Sequence, residues 1–335
     1  MTTGATEQLT LFGDAEEASP SPAPWGPDLT RVSWSHSRRS TLEQCARRYY
    51  YGYFAANKRT AKHDPLKEEL HFLKGVQNRH LRTGTILHLI INTYLRKAQQ
   101  GEIQGVERLV SWAHKLFAAD RAYSRRYMED GSLAHGEKYP PILLWEYLSG
   151  DTRADDLCDE AEGRLVAALR SFVMDDRYDA FRAGASEMGS LVEHGFRLPG
   201  FPCQVTGKVD LAYDHEGRVT VVDWKIGIGD GSGDDSLQLA VYALWAVDHF
   251  GCNTEMLRVC KVHFASDEVI DFRADAEVLA AARARVLQDA ERMAVMDEYG
   301  RTGVAGAFTP CAHPAVCRLC PFCGVCPEGR HLVHA

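Results

Sequence analysis

The spacing of apolar and polar residues changes along the chain from a helical period to a strand period. Between about residues 100 and 187, apolar side chains such as Leu116, Leu165 and Phe172 recur at helical spacing, interrupted by a turn at Tyr139. From Leu191 onward the period becomes two, which predicts three consecutive strands at 191–198, 203–213 and 218–225. The pattern therefore predicts an α/β protein.

Further elements follow from the same periodicity. We expect helices at 82–97, 236–250 and 275–296 and a strand at 257–264. Another helix is predicted to begin near Ser40, because Ser40 and Glu43 have the spacing of a capping box. This helix would carry Cys45 and the aromatic residues that follow it.

Changes in composition divide the chain into five predicted segments. They are a disordered tail (1–30), an N-terminal helical part (31–99), a helical insertion (100–187), a core (188–300) and a Cys-rich tail (301–335). The first is acidic and rich in Ser and Pro, so it offers little apolar surface to bury.

The bulk composition excludes several classes of protein. With 335 residues, 45% of them hydrophobic and 25% charged, the chain is typical of a globular protein. No apolar run approaches the length of a membrane span, and the first residues lack the apolar core of a signal peptide. We therefore expect a cytoplasmic protein without a membrane partner. The net charge of −8 argues against a chain that is basic throughout.

The charge is unevenly distributed, however. Residues 31–62 carry eight Lys or Arg residues and one acid, Glu43, and the aromatic run at 49–54 lies among them. Such a segment could neutralise phosphates and stack bases. Alternatively, the charges form a solvated face and the aromatic residues form part of the core.

Acidic and basic residues follow the apolar run at 219–222. Asp223 and Lys225 are two positions apart, so their side chains lie on the same face of the predicted strand. Asp210, near the end of the preceding strand, can meet them. Two carboxylates favour Mg²⁺ or Mn²⁺, and a nearby ammonium can stabilise charge that develops on a phosphate. The alternative, a surface strand with alternating charges, fits poorly with the apolar run that precedes them.

Two polar residues of the next predicted helix lie on one helix face. Gln238 and Tyr242 have i, i+4 spacing and could hold either a phosphate or the Lys225 side chain.

The cysteines concentrate at the end of the chain. Cys317, Cys320 and Cys326 have the spacing C-x2-C-x5-C, with Cys323 inside it and Cys311 upstream, while Cys45 lies far from them in sequence. In a cytoplasmic chain of this length such clusters indicate metal ligands rather than disulfides. The tail alone could form a local zinc site, whereas four thiolates that include Cys45 could hold an iron–sulfur cluster.

Taken in order, these residues resemble a known family. The series Gly84…His88, Gly207-Lys-Val-Asp210, Val221-Val-Asp223-Trp-Lys225 and Gln238…Tyr242 resembles the RecB-like branch of the PD-(D/E)XK nucleases. The sequence around Cys45 and the spacing in the tail resemble the iron–sulfur subset of that branch, which includes AddB-type repair nucleases and CRISPR adaptation exonucleases. The resemblance covers roughly residues 33–330 apart from the helical insertion.

The resemblance implies a fold and a set of functional residues. It implies a restriction-endonuclease-like core, with a mixed central sheet flanked by helices, an inserted helical lobe and an iron–sulfur centre that joins the two ends of the chain. The implied metal ligands are His88, Asp210, Asp223 and the Trp224 carbonyl. Lys225 would be the catalytic lysine, with Gln238, Tyr242 and, as a secondary candidate, Glu193 in support. A [4Fe-4S] cluster would be held by Cys45, Cys317, Cys320 and Cys326.

The activity implied by the resemblance is a DNase that depends on Mg²⁺ or Mn²⁺. Its substrate would be single-stranded DNA or DNA ends, with an exonuclease expected, in DNA repair or recombination or in anti-phage defence. The alternatives are a non-catalytic DNA-binding subunit of a helicase–nuclease or defence complex, and a zinc-bearing interaction protein. A helicase or defence-system protein is the implied partner. The segment from Gln8 to Phe12 also resembles peptides that bind a sliding clamp.

Overall fold

A computed structural model describes residues 27–56, 64–131, 139–227, 235–311 and 313–333. The predicted clamp-binding segment, from Gln8 to Phe12, lies outside the described residues.

The helices and strands follow one another in three groups along the chain. The first group is β1 (Ser33–Trp34), α1 (His36–Gln44), α2 (Ala46–Tyr50) and α3 (Pro65–Leu73). The second is helical: α4 (Arg79–Gln99), α5 (Val106–Asp130), α6 (Trp145–Leu148), α7 (Ala154–Met174) and α8 (Asp179–Gly184). The third is β2 (Leu191–Leu198), β3 (Gln204–His215), β4 (Arg218–Lys225), α9 (Ser236–Phe250), β5 (Leu257–His263), β6 (Glu268–Phe272), α10 (Ala276–Thr302), α11 (Pro314–Cys317) and α12 (Arg330–Val333).

The chain forms two compact units. One consists of Met1–Gly75 with Asp289–Ala335, and the other of Val76–Gln288. In the second unit β2, β3 and β4 pair antiparallel in that order, β4 pairs parallel with β5, and β5 pairs antiparallel with β6. The predicted mixed central sheet with flanking helices is therefore confirmed for this unit. The division into five segments stays a prediction.

Most of the predicted elements appear with small shifts at their ends. The bounds of β2, β4 and α9 agree with the sequence pattern, whereas β6 was not predicted. The predicted helix start near Ser40 is wrong, because α1 begins at His36 with the Ser35 hydroxyl accepting from Arg38 N. Cys45 is not inside a helix either: its extended backbone (φ −161°) separates α1 from α2.

One hydrophobic core joins the helices of the second unit to its sheet. Leu109 and Phe117 from α5 and Leu165 and Phe172 from α7 belong to the same buried cluster as Trp224 on β4. The helical stripes seen in the sequence are thus core positions. Truncating one such leucine to alanine would cost about 2–5 kcal/mol.

Strand β2 changes the face to which its side chains point at Glu193. This residue has a φ of 51°, in the left-handed region that non-glycine residues rarely adopt. Val192 belongs to the buried cluster of the second unit, whereas His194 lies against Trp245 of α9. Strict alternation would put residues 192 and 194 on one face. The strained backbone of Glu193 therefore breaks the alternation next to β3.

The aromatic run of the first unit is mainly core. Tyr49, Tyr50 and Tyr51 are buried, and the segment Tyr51–Ala55 forms a π-helical turn. Tyr53, the fourth tyrosine of the run, reaches the surface and is 37% exposed. The Arg38 guanidinium lies 4.8 Å from its ring centroid. The interpretation as a core stripe therefore holds for three of the four tyrosines, and Tyr53 is the exposed one.

None of the helices in the described part of the chain combines the length and apolarity required to span a bilayer. The cytoplasmic location stays a prediction.

Candidate active site

Two buried carboxylates meet at the ends of adjacent strands. Leu211 of β3 pairs with Val222 of β4, so Asp210 and Asp223 are each one step further toward the same sheet edge. Each is only 3% exposed. Because a buried carboxylate is costly unless it is paired, this arrangement marks the edge as a specialised site.

Asp210 is held by two donors from different elements. His88 Nδ1 on α4 lies 2.9 Å from Asp210 Oδ1, and the backbone N–H of Trp224 donates to Oδ2 at 2.8 Å. The Trp224 indole is fully buried against Phe172 and Phe181. The packing of Trp224 therefore fixes a peptide group that orients Asp210.

Asp223 faces the only lysine of its own strand, Lys225. The ammonium nitrogen lies 3.0 Å from Asp223 Oδ2, which is a charge contact rather than a well-directed hydrogen bond. Lys225 also donates to Gln238 Oε1 at 3.1 Å. The lysine side chain is 32% exposed, so its ammonium can reach a substrate.

Gln238 and Tyr242 of α9 form polar contacts with the pair of Asp223 and Lys225 and with the backbone of β3. The Gln238 amide nitrogen lies 2.7 Å from the Tyr242 hydroxyl and 3.4 Å from Asp223 Oδ1. The Tyr242 hydroxyl donates to the backbone oxygen of Lys208 at 2.8 Å. The i, i+4 pair predicted from the sequence thus lies beside Lys225 and Asp223.

A glycine allows the strands to approach each other near this site. A Cβ atom at Gly207 on β3 would overlap the ring of Phe196 on β2. This ring stacks on Trp245 of α9 at 4.9 Å between centroids. The glycine in the Gly207-Lys-Val-Asp210 segment therefore serves packing between β2, β3 and α9.

Burial and charge shift the pKa values at this site in consistent directions. Burial raises the pKa of Asp223, and Asp210 adds to the effect against the opposing charge of Lys225. Burial alone would lower the pKa of Lys225, but Asp223 raises it above its usual value. The same competition applies to His88, whose pKa is raised mainly by Asp210. The two carboxylates therefore favour the protonated, cationic forms of His88 and Lys225 beside them.

Glu193 contacts basic residues rather than the carboxylate pair. Its carboxylate oxygens lie 2.6 Å from Lys208 Nζ and 3.8 Å from an Arg96 guanidinium nitrogen. Within the described structure its carboxylate forms no ion pair with His88. Its role as a supporting acid stays a prediction.

The donor set suits a divalent cation, although the side chains are not already arranged around one. Carboxylate oxygens and a histidine nitrogen are ligands that Mg²⁺ or Mn²⁺ accepts. In the part of the chain that the structure describes, however, no group of three or more His, Cys, Asp or Glu side chains forms a ready metal site. The Lys225 ammonium instead provides the positive charge next to Asp223.

The cysteines singled out in the sequence lie around one pocket of the first unit. Among the described residues, its thiol lining consists of Cys45, Cys311, Cys317, Cys320, Cys323 and Cys326. Cys311 Sγ lies 3.9 Å from Cys317 Sγ, and the Cys323 thiol points to the Gly329 carbonyl at 3.1 Å. The pocket holds about 20 Å³ and so is narrow.

Arg47 and Arg48, two members of the basic segment at 31–62, also line this pocket, a position that was not predicted from the sequence. Arg47 is buried, and its Nε donates to the Phe308 carbonyl at 2.8 Å. Arg48 lowers the pKa of the Cys320 thiol, although burial dominates and raises that pKa to about 12. A signal was available, because both follow Cys45 within three positions. Guanidinium groups beside thiols favour ionised sulfur.

Comparison with known proteins identifies the family. No curated protein matches the chain. Among solved structures, the crystal structure of SSO0001 matches at 13% identity over 53% of this chain and 79% of that chain, with a TM-score of 0.28. A family model, the PD-(D/E)XK nuclease superfamily, matches residues 33–327, which include both the carboxylate pair and the cysteine-lined pocket. The chain belongs to the PD-(D/E)XK nuclease superfamily.

Proposed function

We propose that the protein hydrolyses phosphodiester bonds of DNA in a reaction that depends on Mg²⁺ or Mn²⁺. Membership of the superfamily supports a phosphodiester hydrolase in general, and PD-(D/E)XK nucleases typically use divalent metal ions. The observation that carries the proposal is the buried pair of Asp210 and Asp223 beside the partly exposed Lys225. Single-stranded DNA or DNA ends are the proposed substrate, and an exonuclease is the proposed form of the activity.

The residues of the site would divide the work between metal binding and phosphate chemistry. His88, Asp210, Asp223 and the Trp224 carbonyl would hold the ion. When bound, the ion would activate water and neutralise charge on the phosphate. Lys225 would stabilise the negative charge that develops on the phosphate oxygens.

Gln238 and Tyr242 would position the reactive residues rather than react. Gln238 accepts a hydrogen bond from Lys225 and its amide nitrogen lies next to Tyr242, so it limits the directions in which the ammonium can point. Tyr242 is anchored on the Lys208 carbonyl. Burial keeps the Tyr242 pKa well above its usual value, which suits a neutral donor.

The test is degradation of end-labelled single-stranded DNA with Mg²⁺, Mn²⁺ or a chelator. We expect cleavage with either metal and none with the chelator, and we expect Lys225→Met to lose the activity. Tight DNA binding without cleavage under both metals would instead favour the alternative, a non-catalytic DNA-binding subunit.

We also propose that the cysteine-lined pocket holds a [4Fe-4S] cluster on Cys45, Cys317, Cys320 and Cys326. Six thiols around one pocket and the adjacent Arg47 and Arg48 support an anionic metal centre there. The thiols would have to rearrange, because the pocket holds only about 20 Å³.

The pathway and the partners stay proposals: DNA repair or anti-phage defence, a helicase or defence-system protein, and a sliding clamp bound through the segment from Gln8 to Phe12. A synthetic peptide of that segment that fails to bind a clamp would remove the last of these.

A further inference from the structure

A second pocket lies between α4 and α5, and basic and aromatic side chains are part of its lining. Its volume is about 370 Å³, within the range of about 300–1,000 Å³ that is usual for ligand sites. Arg108, Trp112 and Lys115 have i, i+4, i+7 spacing on α5 and thus share one helix face. Lys97 of α4 and Gln104 of the segment between α4 and α5 also line the pocket.

Gln104 supplies an amide that forms no hydrogen bond with any described residue. It is only 8% exposed and lines the pocket, and none of the hydrogen bonds within the described ranges involves its side chain. Its two N–H donors and its oxygen are therefore available to a ligand or to water inside the pocket.

The pocket carries an excess of positive charge. Lys97 forms an ion pair with Glu102 at 2.5 Å. This contact lowers the pKa of Glu102, and the charge of Arg108 lowers it by a smaller amount. Neither Arg108 nor Lys115 forms an ion pair with any residue in the part of the chain that the structure describes. The nearest further acid on α5, Glu107, is paired with Arg170 at 2.8 Å. Two cations thus remain for an anionic ligand.

This pocket is separate from the candidate active site. His88 and Lys97 both lie on α4, nine positions apart. At about 100° per residue, nine positions place the two side chains on opposite sides of the helix. A ligand in the pocket would therefore not be the scissile phosphate at Asp223.

We propose that this pocket binds a nucleotide unit of the DNA strand away from the cleavage site. Arg108 and Lys115 would contact the phosphate, Gln104 would hydrogen-bond to the sugar-phosphate or the base, and Trp112 would stack against the base. The Trp112 ring already makes an edge contact with Tyr139, with 5.9 Å between centroids, which limits its rotation. The inference rests on the proposed function, because it takes the ligand to be the substrate strand.

The test measures binding of a fluorescent oligothymidylate at several salt concentrations with a chelator present, so that cleavage does not interfere. The slope of log K against log salt changes by about 0.7 for each phosphate contact on a single strand. We expect the slope of the Arg108→Ala/Lys115→Ala variant to be less steep than that of the wild type by about 1.4, because two phosphate contacts are removed. Trp112→Leu should weaken binding about tenfold at one salt concentration.

A matched control is available on the same helix. Arg126 is exposed on α5 and does not line the pocket, so Arg126→Ala removes one charge without touching the site. We expect its slope to match that of the wild type. Thermal unfolding of the Arg108→Ala/Lys115→Ala and Arg126→Ala variants should agree with that of the wild type, because these three side chains are exposed.

An unchanged salt slope in the double variant would overturn the proposal. The proposal would also be overturned if binding of thymidine monophosphate depended on Arg108 and Lys115 but binding of the oligonucleotide did not. The pocket would then bind a free nucleotide. The proposed function fails separately. If the wild type binds DNA but never cleaves it with Mg²⁺ or Mn²⁺, the hydrolase proposal falls while the salt-slope result stands.

Discussion

Asp223 and Lys225 lie two positions apart on β4, and the lysine ammonium is 3.0 Å from the Asp223 carboxylate. Side chains with this spacing point to one face of a strand, so the contact follows from the backbone. The opposite charge raises the pKa of Lys225, and the lysine partly offsets the effect of burial on Asp223. The pair lies at a sheet edge, where a metal ion and a phosphate could compete for its two members.

Removing the charge of Asp223 should abolish cleavage without unfolding the protein. We expect Asp223→Asn to reduce the rate about 10³-fold, because the proposed ligand loses its charge. Asp271→Asn is the control, since this exposed aspartate on β6 pairs with Arg258. Cleavage of labelled DNA at saturating Mn²⁺ measures both. Equal loss in the two variants would contradict a specific role for Asp223.

Removing the amide of Gln238 should lower turnover more than substrate affinity. Gln238→Ala leaves the Lys225 ammonium without the oxygen that it donates to at 3.1 Å. We expect kcat to fall about 10–100-fold, as is usual when a group that orients a reactive side chain is lost. Gln99→Ala on α4, which loses contacts to Ser190, is the matched control. A change in KM with unchanged kcat would argue for a role in substrate binding instead.

The proposed cluster can be tested by iron content and colour. Protein purified without oxygen should bind about four irons and absorb broadly in the visible range, and Cys45→Ser or Cys320→Ser should lose both signals. Cys158→Ser is the control, because this buried thiol on α7 lies outside the cysteine-lined pocket. A colourless protein that contains one zinc ion would contradict the cluster and support the local zinc site.

The left-handed backbone at Glu193 makes a direct prediction about stability. Its φ of 51° is costly for a residue with a Cβ atom but not for glycine. Both Glu193→Gly and Glu193→Ala lose the contact with Lys208, so their difference isolates the backbone term. We expect the glycine variant to be more stable than the alanine variant by about 1 kcal/mol, measured by urea unfolding. The opposite order would mean that the strand relaxes.

Stability should fall in alkaline solution because of Cys260. Burial raises the pKa of this thiol from 9.0 to about 12, so the folded protein keeps a proton that the unfolded chain releases. The contribution is complete below pH 9 and is lost as the pH rises toward 12, at up to about 1.4 kcal/mol per pH unit. Cys260→Ala should flatten the pH dependence of unfolding in this range.

The matched control for that experiment is Cys252→Ala. Cys252 is only half buried, and burial also raises its pKa. We expect a smaller change in the pH dependence for this variant than for Cys260→Ala. Equal effects would show that burial of Cys260 is not the cause.

Local patterns in the sequence were sufficient for most elements of the second unit. The bounds of β2, β4 and α9 could be predicted because a period of two or of 3.6 records which face of an element is buried. Strand β6 was missed, since its residues are mostly exposed and show no clear alternation. The start of α1 was misplaced because a capping-box pattern at Ser40 competed with the actual cap, Ser35.

The contacts between distant residues could be predicted only in part. The resemblance to a family suggested that His88 meets Asp210, and the structure brings the two within 2.9 Å across 122 positions of sequence. No spacing rule indicated that the Trp224 N–H holds Asp210, or that Arg47 and Arg48 line the cysteine pocket. These depend on how elements pack.

The sequence by itself determined that Asp223 and Lys225 share a face at the end of an apolar strand, because the pleat of a strand repeats every two residues. It also determined the order of β2, β3, β4, α9 and β5. Only the tertiary structure decided which groups surround that pair, which tyrosines of the aromatic run are buried, and that α4 and α5 enclose a basic pocket. Those outcomes depend on packing between residues far apart in the chain, and local periodicity carries no information about such contacts.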